Sequence, residues 1–261
     1  MNTAFKSLHY AWRTRRAWWF TATARTKARF ARTALGSFWL GLSNLFSIAA
    51  LALVYGTVFK VQDFPRYVVY LGTGLVIWNA IAAALSSAPS LFEYNAGHLK
   101  NTNLNPIFYT LEEWAFQVQS FAQSFGLVLV VLSFYQPTLL LHLFSVGLLP
   151  LLNVILFLYW LPLLLCLSGA RFRDLFQLVP IIIQLVFLLS PILYEKESLG
   201  TMAWTADYNA LYRILSPLRH ALIHGELKVG QSFLILAVNV AGIWISLFLL
   251  ERQRRYLPFL V

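Results

Sequence analysis

Acidic residues and cysteine are both scarce in this chain. Only 10 of its 261 residues are Asp or Glu, and charged residues of both signs make up 11%, whereas a soluble domain carries about a quarter. Cys166 is the one cysteine, which excludes a disulfide within the chain and a cysteine-rich metal site. The first 35 residues are basic and lack the apolar core of a cleavable signal peptide, so we expect none.

Motifs for catalysis are missing as well. The sequence contains no glycine-rich loop of the Walker type, no HExxH pair and no aspartate pair suited to metal-assisted phosphate chemistry. Its apolar segments contain essentially no ionisable side chains, which proton-coupled transporters and intramembrane enzymes need. We therefore expect no catalytic residue, no metal site and no cofactor in this chain. Energy for uphill transport then has to come from a partner.

Long apolar runs dominate what is present, because 59% of the residues are hydrophobic. Runs of about 20 apolar residues can span a bilayer, and unbroken runs favour helices over barrel strands, which alternate between two faces. The pattern predicts an all-α polytopic membrane protein with six transmembrane helices, at about residues 38–59, 67–85, 114–134, 138–168, 175–193 and 231–250. The fourth run is unusually long, and we interpret it as one helix kinked by Pro150 and Pro162.

The whole chain, residues 1–261, is interpreted as a single transmembrane domain, with the six spans in 38–250 and a tail at 251–261. Residues 1–34 interleave arginines with tryptophans, which predicts an amphipathic helix lying in the membrane interface. Residues 194–230 are polar in part but rich in Leu, Tyr and Ile. They predict two short re-entrant or interfacial helices, 210–215 and 218–223, separated by Pro217. An ordinary extracellular loop is the alternative.

The distribution of positive charge indicates the orientation. With six spans, 14 of the 20 lysines and arginines fall on the side that holds both termini. Because cytoplasmic loops carry the excess of Lys and Arg, we expect both termini in the cytoplasm. This bias also accounts for the net charge of +10 without a nucleic-acid partner.

Two polar connections on that side are candidates for contact with the partner that supplies this energy. Residues 86–113 are long enough to hold a short helix, and residues 169–175 form a compact charged turn with Phe172 at its centre. A partner could bury this aromatic ring and pair the charges around it. Within the spans, aromatic and amide side chains could stack on sugar rings and bond their hydroxyls. The candidates for such a substrate conduit are Trp39, Phe46, Tyr55, Trp78, Phe116 and Gln117.

Five landmarks occur in order along nearly the whole chain: residues 29–39 (RFARTALGSFW), 99–106 (LKNTNLNP), 171–174 (RFRD), 190–192 (SPI) and 208–212 (YNALY). Together with the six-span layout, they resemble the permease subunits of type-2 ABC exporters for polysaccharides, which export O-antigen, capsule or teichoic acid chains. The sequence departs from that family at Ala210, where proline is frequent, and in an asparagine-rich first cytoplasmic loop.

The resemblance implies a homodimer in the bacterial inner membrane that pairs with two copies of a separate ATPase. It implies a conduit between protomers, built from the first and fifth spans. The implied contacts with the ATPase are Glu93, His98, Lys100, Asn101, Arg171, Phe172, Arg173 and Asp174. The implied outer gate contains Tyr208, Leu211, Tyr212 and Arg213.

The leading hypothesis is therefore a channel-forming subunit that exports lipid-linked polysaccharide, with O-antigen as the preferred substrate. Arg25, Arg29 and Arg32 would pair with the phosphates of the lipid head where it enters. Three alternatives stay open: a type-2 ABC exporter of drugs or lipids, an integral-membrane enzyme acting on lipid-linked sugars, and a structural assembly factor with no transport role.

Overall fold

Helices account for every regular element in residues 2–101 and 104–260, the parts of the chain that the computed structural model describes, without the side chains of residues 2–6 and 197. This confirms the all-α prediction. Thr102 and Asn103, which belong to the predicted first cytoplasmic loop, lie outside the described residues.

The helices follow one another with short connections. They are α1 (Asn2–Arg13), α2 (Arg15–Arg29), α3 (Phe38–Val58), α4 (Phe64–Ser87), α5 (Leu91–Tyr94), α6 (Ala96–Asn101), α7 (Ile107–Leu132), α8 (Thr138–Gly169), α9 (Leu175–Leu189), α10 (Trp204–Tyr208), α11 (Ala210–His224), α12 (Val229–Gln253) and α13 (Leu257–Leu260). Helical turns at Ala88–Ser90 and Lys196–Met202 lie between them.

Five helices in the described chain are long and apolar enough to cross a membrane: α3, α4 with its continuation to Tyr94, α7, α8 and α12. The predicted fifth span corresponds to α9, which is apolar but has 15 residues and a length of about 22 Å. It ends before the predicted residue 193 because Pro191 disfavours helical backbone at Ser190, which is extended (φ −93°, ψ 137°). The count of six spans stays a prediction.

The fourth apolar run is one helix, as predicted. Its first turns widen into a π-helical stretch at Leu143–Gly147, shortly before Pro150. Pro162 lies inside the helix without ending it. A wider turn is one way in which a helix accommodates a disturbed hydrogen-bond ladder.

Two predicted boundaries are wrong. The basic N-terminal segment forms two helices, α1 and α2, with a break at Thr14. The stretch from Ala210 to His224 is one continuous helix, which Pro217 does not divide. Both ends of this helix are capped. At the start, Asn209 Oδ1 accepts hydrogen bonds from two backbone N–H groups. At the end, Gly225 has a left-handed backbone conformation (φ 70°). The second short helix of this region is α10.

Polar side chains join α8 to α12 inside the bundle. Trp160 Nε1 donates to Asn239 Oδ1 at 2.9 Å, and Asn239 Nδ2 donates to the Asn153 backbone oxygen at 3.0 Å. Asn153 Nδ2 in turn donates to the Ser232 backbone oxygen at 2.9 Å. Because the hydrophobic effect does not drive helices together within lipid, hydrogen bonds between helices contribute to holding the bundle together.

The bundle has two ends, which long-range bonds define. One end holds the N-terminal and C-terminal segments and is called the terminal end. There the Ser7 hydroxyl donates a hydrogen bond to the Glu251 carboxylate, and the Asn105 side-chain amide donates one to Ser7 Oγ. At the distal end, Gln136 Nε2 donates to the Ile223 backbone oxygen at 2.7 Å, and Tyr67 Oη donates to the Leu193 backbone oxygen at 2.7 Å. The predicted ATPase contact and the predicted outer gate therefore lie at different ends of the bundle. The turn at 171–174 follows α8 at the terminal end, whereas the segment 190–224 forms the distal end.

Candidate coupling surface and outer gate

The terminal end brings together the two loops that were predicted to contact an ATPase. Arg173 Nε lies 3.3 Å from Glu93 Oε2, so an ion pair joins the turn after α8 to α5. The approach depends on Gly169: a Cβ at that position would lie 2.2 Å from the Pro89 backbone oxygen. A small residue at the end of α8 thus permits the two loops to form one surface.

This coupling surface presents two aromatic rings to solvent. Phe172 is 58% exposed and Tyr94 is 86% exposed. The other predicted members also have exposed side chains: His98, Lys100, Asn101, Arg171 and Asp174. Sequence reasoning missed Tyr94, although its position directly after Glu93 was a usable signal. Exposed aromatics among charges are typical of protein contact sites.

A second ion pair at this end connects α2 to α7. Arg25 Nη1 lies 2.6 Å from Glu113 Oε2, and the guanidinium stands 4.2 Å from the centre of the Phe116 ring. The other carboxylate oxygen accepts bonds from Gln117 at 2.8 Å and Ser87 at 3.3 Å. Sequence reasoning missed Glu113 because the third span was predicted to begin one residue later, whereas α7 begins at Ile107.

The arginines predicted to meet a lipid phosphate are placed differently from one another. Arg25 is engaged with Glu113, Arg29 lies 5.5 Å from the Phe30 ring centre, and Arg32 is exposed. Their contact with phosphate stays a prediction.

The six predicted conduit residues do not share one surface of the single chain. Trp39 and Phe46 are exposed on α3, whereas Tyr55 is partly buried with its ring 5.5 Å from that of Phe59. The other three are buried: Trp78, Phe116 and Gln117. In the described chain these three pack within the bundle, and only α3 offers predicted conduit residues for a contact outside it.

At the distal end, the segment from Ser190 to Tyr194 is held by a side chain of α4 and by the Asn209 side chain, which precedes α11. Tyr70 Oη bonds the backbone oxygens of Pro191 and Tyr194, both at 3.1 Å. Asn209 Nδ2 donates to Ser190 Oγ at 2.6 Å. Two landmarks of the sequence, SPI and YNALY, thus meet in the folded chain.

Arg219 of α11 is the central residue of this contact, and sequence reasoning missed it. Its side chain is buried, with 4% exposure. Nη1 donates to the Pro191 backbone oxygen at 3.0 Å and Nη2 to Tyr212 Oη at 3.1 Å, while the guanidinium lies 4.0 Å from the Tyr70 ring centre. Gly74 gives it room, because a Cβ there would lie 3.1 Å from Nη1. An arginine inside the apolar run 218–223 was the available signal.

The predicted outer-gate residues surround this arginine only in part. Tyr212 bonds it, Leu211 is buried, Arg213 is exposed and Tyr208 is 83% exposed. Burial raises the pKa of Tyr194. Burial first, and Lys228 second, lower the pKa of His220 below its ordinary value.

Comparison with known proteins identifies the family. Residues 19–223 match the family described as ABC-2 type transporter. The chain belongs to this family. Its members are membrane subunits for transport that work with an ATPase subunit in an ABC transporter. Among the residues that the structure describes, no group of three His, Cys, Asp or Glu side chains is placed to hold a metal ion.

Two curated relatives from Klebsiella pneumoniae are each named "O-antigen export system permease protein RfbA". One is 26% identical and the other 24% identical to this ABC-2 chain, each over 205 residues, which cover 77% of this chain and 78% of the relative. Both matches are to permeases, in agreement with the family.

Proposed function

We propose that this ABC-2 subunit forms the channel through which an ATP-driven exporter moves lipid-linked polysaccharide of the O-antigen type across the bacterial inner membrane. The observation that carries the proposal is the extended similarity to two permeases named for O-antigen export. The joined coupling surface, with exposed Phe172 beside the Glu93–Arg173 pair, supports a subunit that receives force at one end.

The mechanism has three parts. The lipid-pyrophosphate head enters near α2, where basic side chains are concentrated. ATP and magnesium bind in two copies of the partner ATPase, which press on the coupling surfaces of a homodimer. The conduit opens between protomers, and the distal segment around Ser190–Tyr194 controls the exit. Both termini face the cytoplasm in this arrangement.

The largely uncharged spans suit a long, mostly neutral polymer. The only carboxylates of α7, Glu112 and Glu113, lie in its first two turns. Aromatic rings on α3 offer many weak stacking contacts and no strong trap, so that the chain can advance with each ATP cycle. The exposed rings of Trp39 and Phe46 are the best placed for this role.

The test is depletion of this protein in its host, followed by assay of surface glycan and of lipid-linked glycan inside the cell. We expect loss at the surface with accumulation inside, restored by the wild-type chain. If both pools stay normal, the polysaccharide proposal fails and a drug or lipid exporter replaces it. If both pools vanish, an enzymatic role in synthesis replaces it.

A further inference from the structure

A cavity of about 1000 Å³ lies at the distal end between α11, α8 and α12. One wall is basic. Among its described lining residues, five side chains carry a positive charge, against the two carboxylates of Glu195 and Asp207: Arg66, Lys196, Arg213, Arg219 and Lys228. Asp207 Oδ1 is already bound to Lys196 Nζ at 2.6 Å. The described lining of the cavity therefore carries an excess of positive charge.

One of these positive charges, that of Arg219, is buried and does not lie on the protein surface. Buried charged side chains are almost always paired with an opposite charge. The described partners of this guanidinium are a backbone oxygen, a tyrosine hydroxyl and an aromatic ring, none of which carries a charge. No described carboxylate lies within ion-pair distance of it. Its two hydrogen bonds use two of five N–H donors.

The remaining wall of the cavity is apolar. It is formed by Phe157, Trp160 and Leu161 of α8 and by Leu234, Ile235 and Val238 of α12. These side chains belong to two helices that are long and apolar enough to span the membrane. A ligand that fits both walls has an anionic head and a hydrocarbon body.

We propose that this cavity binds the phosphate head of an anionic lipid, with Arg219, Arg213 and Arg66 as the phosphate ligands and the apolar wall against the acyl or prenyl chain. Arginine forms bidentate, charge-assisted bonds with phosphate. Because Arg219 also holds the Pro191 backbone, an occupied cavity stiffens the segment Ser190–Tyr194. The lipid is either a membrane phospholipid or the pyrophosphate lipid that carries a glycan.

The experiment measures lipid binding to the purified full-length chain directly, by native mass spectrometry in a neutral detergent, and does not depend on export. The probes are phosphatidylglycerol and, as a matched lipid without phosphate, diacylglycerol. The variant Arg66→Gln/Arg213→Gln removes two exposed cations of the cavity. The matched control, Arg254→Gln/Arg255→Gln, removes two cations near the C-terminus, at the other end of the bundle.

We expect phosphatidylglycerol to bind the wild type and the control equally, and the cavity variant about tenfold or more weakly. Diacylglycerol should bind all three poorly. Competition by undecaprenyl pyrophosphate then separates the sources: displacement assigns the cavity to the carrier lipid, and retention of phosphatidylglycerol assigns it to membrane phospholipid.

Equal binding of phosphatidylglycerol to the wild type and the cavity variant overturns the proposal, and so does equal binding of diacylglycerol and phosphatidylglycerol. Arg219→Gln should also abolish the preference for phosphate. If that variant fails to fold, the double variant decides the matter, because Arg66 and Arg213 are exposed. A failure of polysaccharide export leaves this result unaffected, so the two proposals fail separately.

Discussion

Arg25 at the terminal end and Arg219 at the distal end each connect separate segments of the chain, but their partners differ in charge. Arg25 is 43% exposed and faces a carboxylate at 2.6 Å. Arg219 is 4% exposed and has only neutral partners among the described residues. The first contact is electrostatically complete, and it fastens α2 to α7. The second keeps an unneutralised charge beside a cavity, which is the arrangement of a site that receives an anion.

The largest effect is expected when Arg219 is removed. Arg219→Gln deletes two hydrogen bonds from a charged donor and leaves the Pro191 oxygen without one of its partners. Bonds to charged groups contribute about 1.5–3 kcal/mol each, so we expect a loss of about 3 kcal/mol in the free energy of unfolding. Unfolding in detergent micelles with increasing SDS measures it.

Arg213→Gln is the matched control, because Arg213 is exposed on the same helix. It should change the free energy of unfolding by less than about 0.5 kcal/mol. Equal losses in the two variants would mean that burial of Arg219 does not matter.

The next largest effect is expected at the coupling surface, where we propose that the terminal end binds the ATPase. Phe172→Ala should weaken binding of the ATPase subunit by about 2 kcal/mol, or roughly thirtyfold, because an aromatic anchor is lost from the contact. Titration of the purified ATPase onto the detergent-solubilised chain measures the affinity. Phe134→Ala, at an 84% exposed position of the distal end, should leave it unchanged; a similar loss there contradicts the assignment of the surface.

A smaller effect is expected for the ion pair between Arg25 and Glu113. Arg25→Gln leaves a buried carboxylate without its cation, and this costs more than removing both charges together. Since Arg25 is partly exposed, solvent reduces the effect to about 1–2 kcal/mol. The double variant Arg25→Gln/Glu113→Gln should unfold less easily than Arg25→Gln alone. A loss in the double variant that equals the sum of the losses in Arg25→Gln and Glu113→Gln would show that the pair does not interact.

The smallest effect belongs to Glu93 and Arg173, which are both partly exposed. Their interaction should add less than about 0.5 kcal/mol to the stability of the chain, and added salt should reduce it further. A double-mutant cycle with Glu93→Gln and Arg173→Gln, at low and high salt, measures this term. A coupling above 1 kcal/mol that is independent of salt would place the pair in the structural core.

The apolar runs predict most of the helices because a span must satisfy its own backbone, whatever its neighbours are. The landmarks 171–174 and 208–212 also indicate regions that the fold turns into surfaces and contacts. The sequence does not reveal pairings between distant residues, such as Arg25 with Glu113 and Arg219 with the Pro191 oxygen. These depend on how helices pack, as do the burial of Trp78 and the continuity of α11 through Pro217.

We infer that this chain is a passive membrane subunit driven by an ATPase that binds its terminal end. The most direct test reconstitutes the chain in liposomes, with and without the ATPase subunit, and follows movement of a lipid-linked glycan to the opposite leaflet. We expect ATP-dependent movement of the glycan with both subunits and no movement with the chain alone. Phe172→Ala should strongly reduce the movement seen with both subunits. Movement or chemical turnover of the glycan by the chain alone would contradict it.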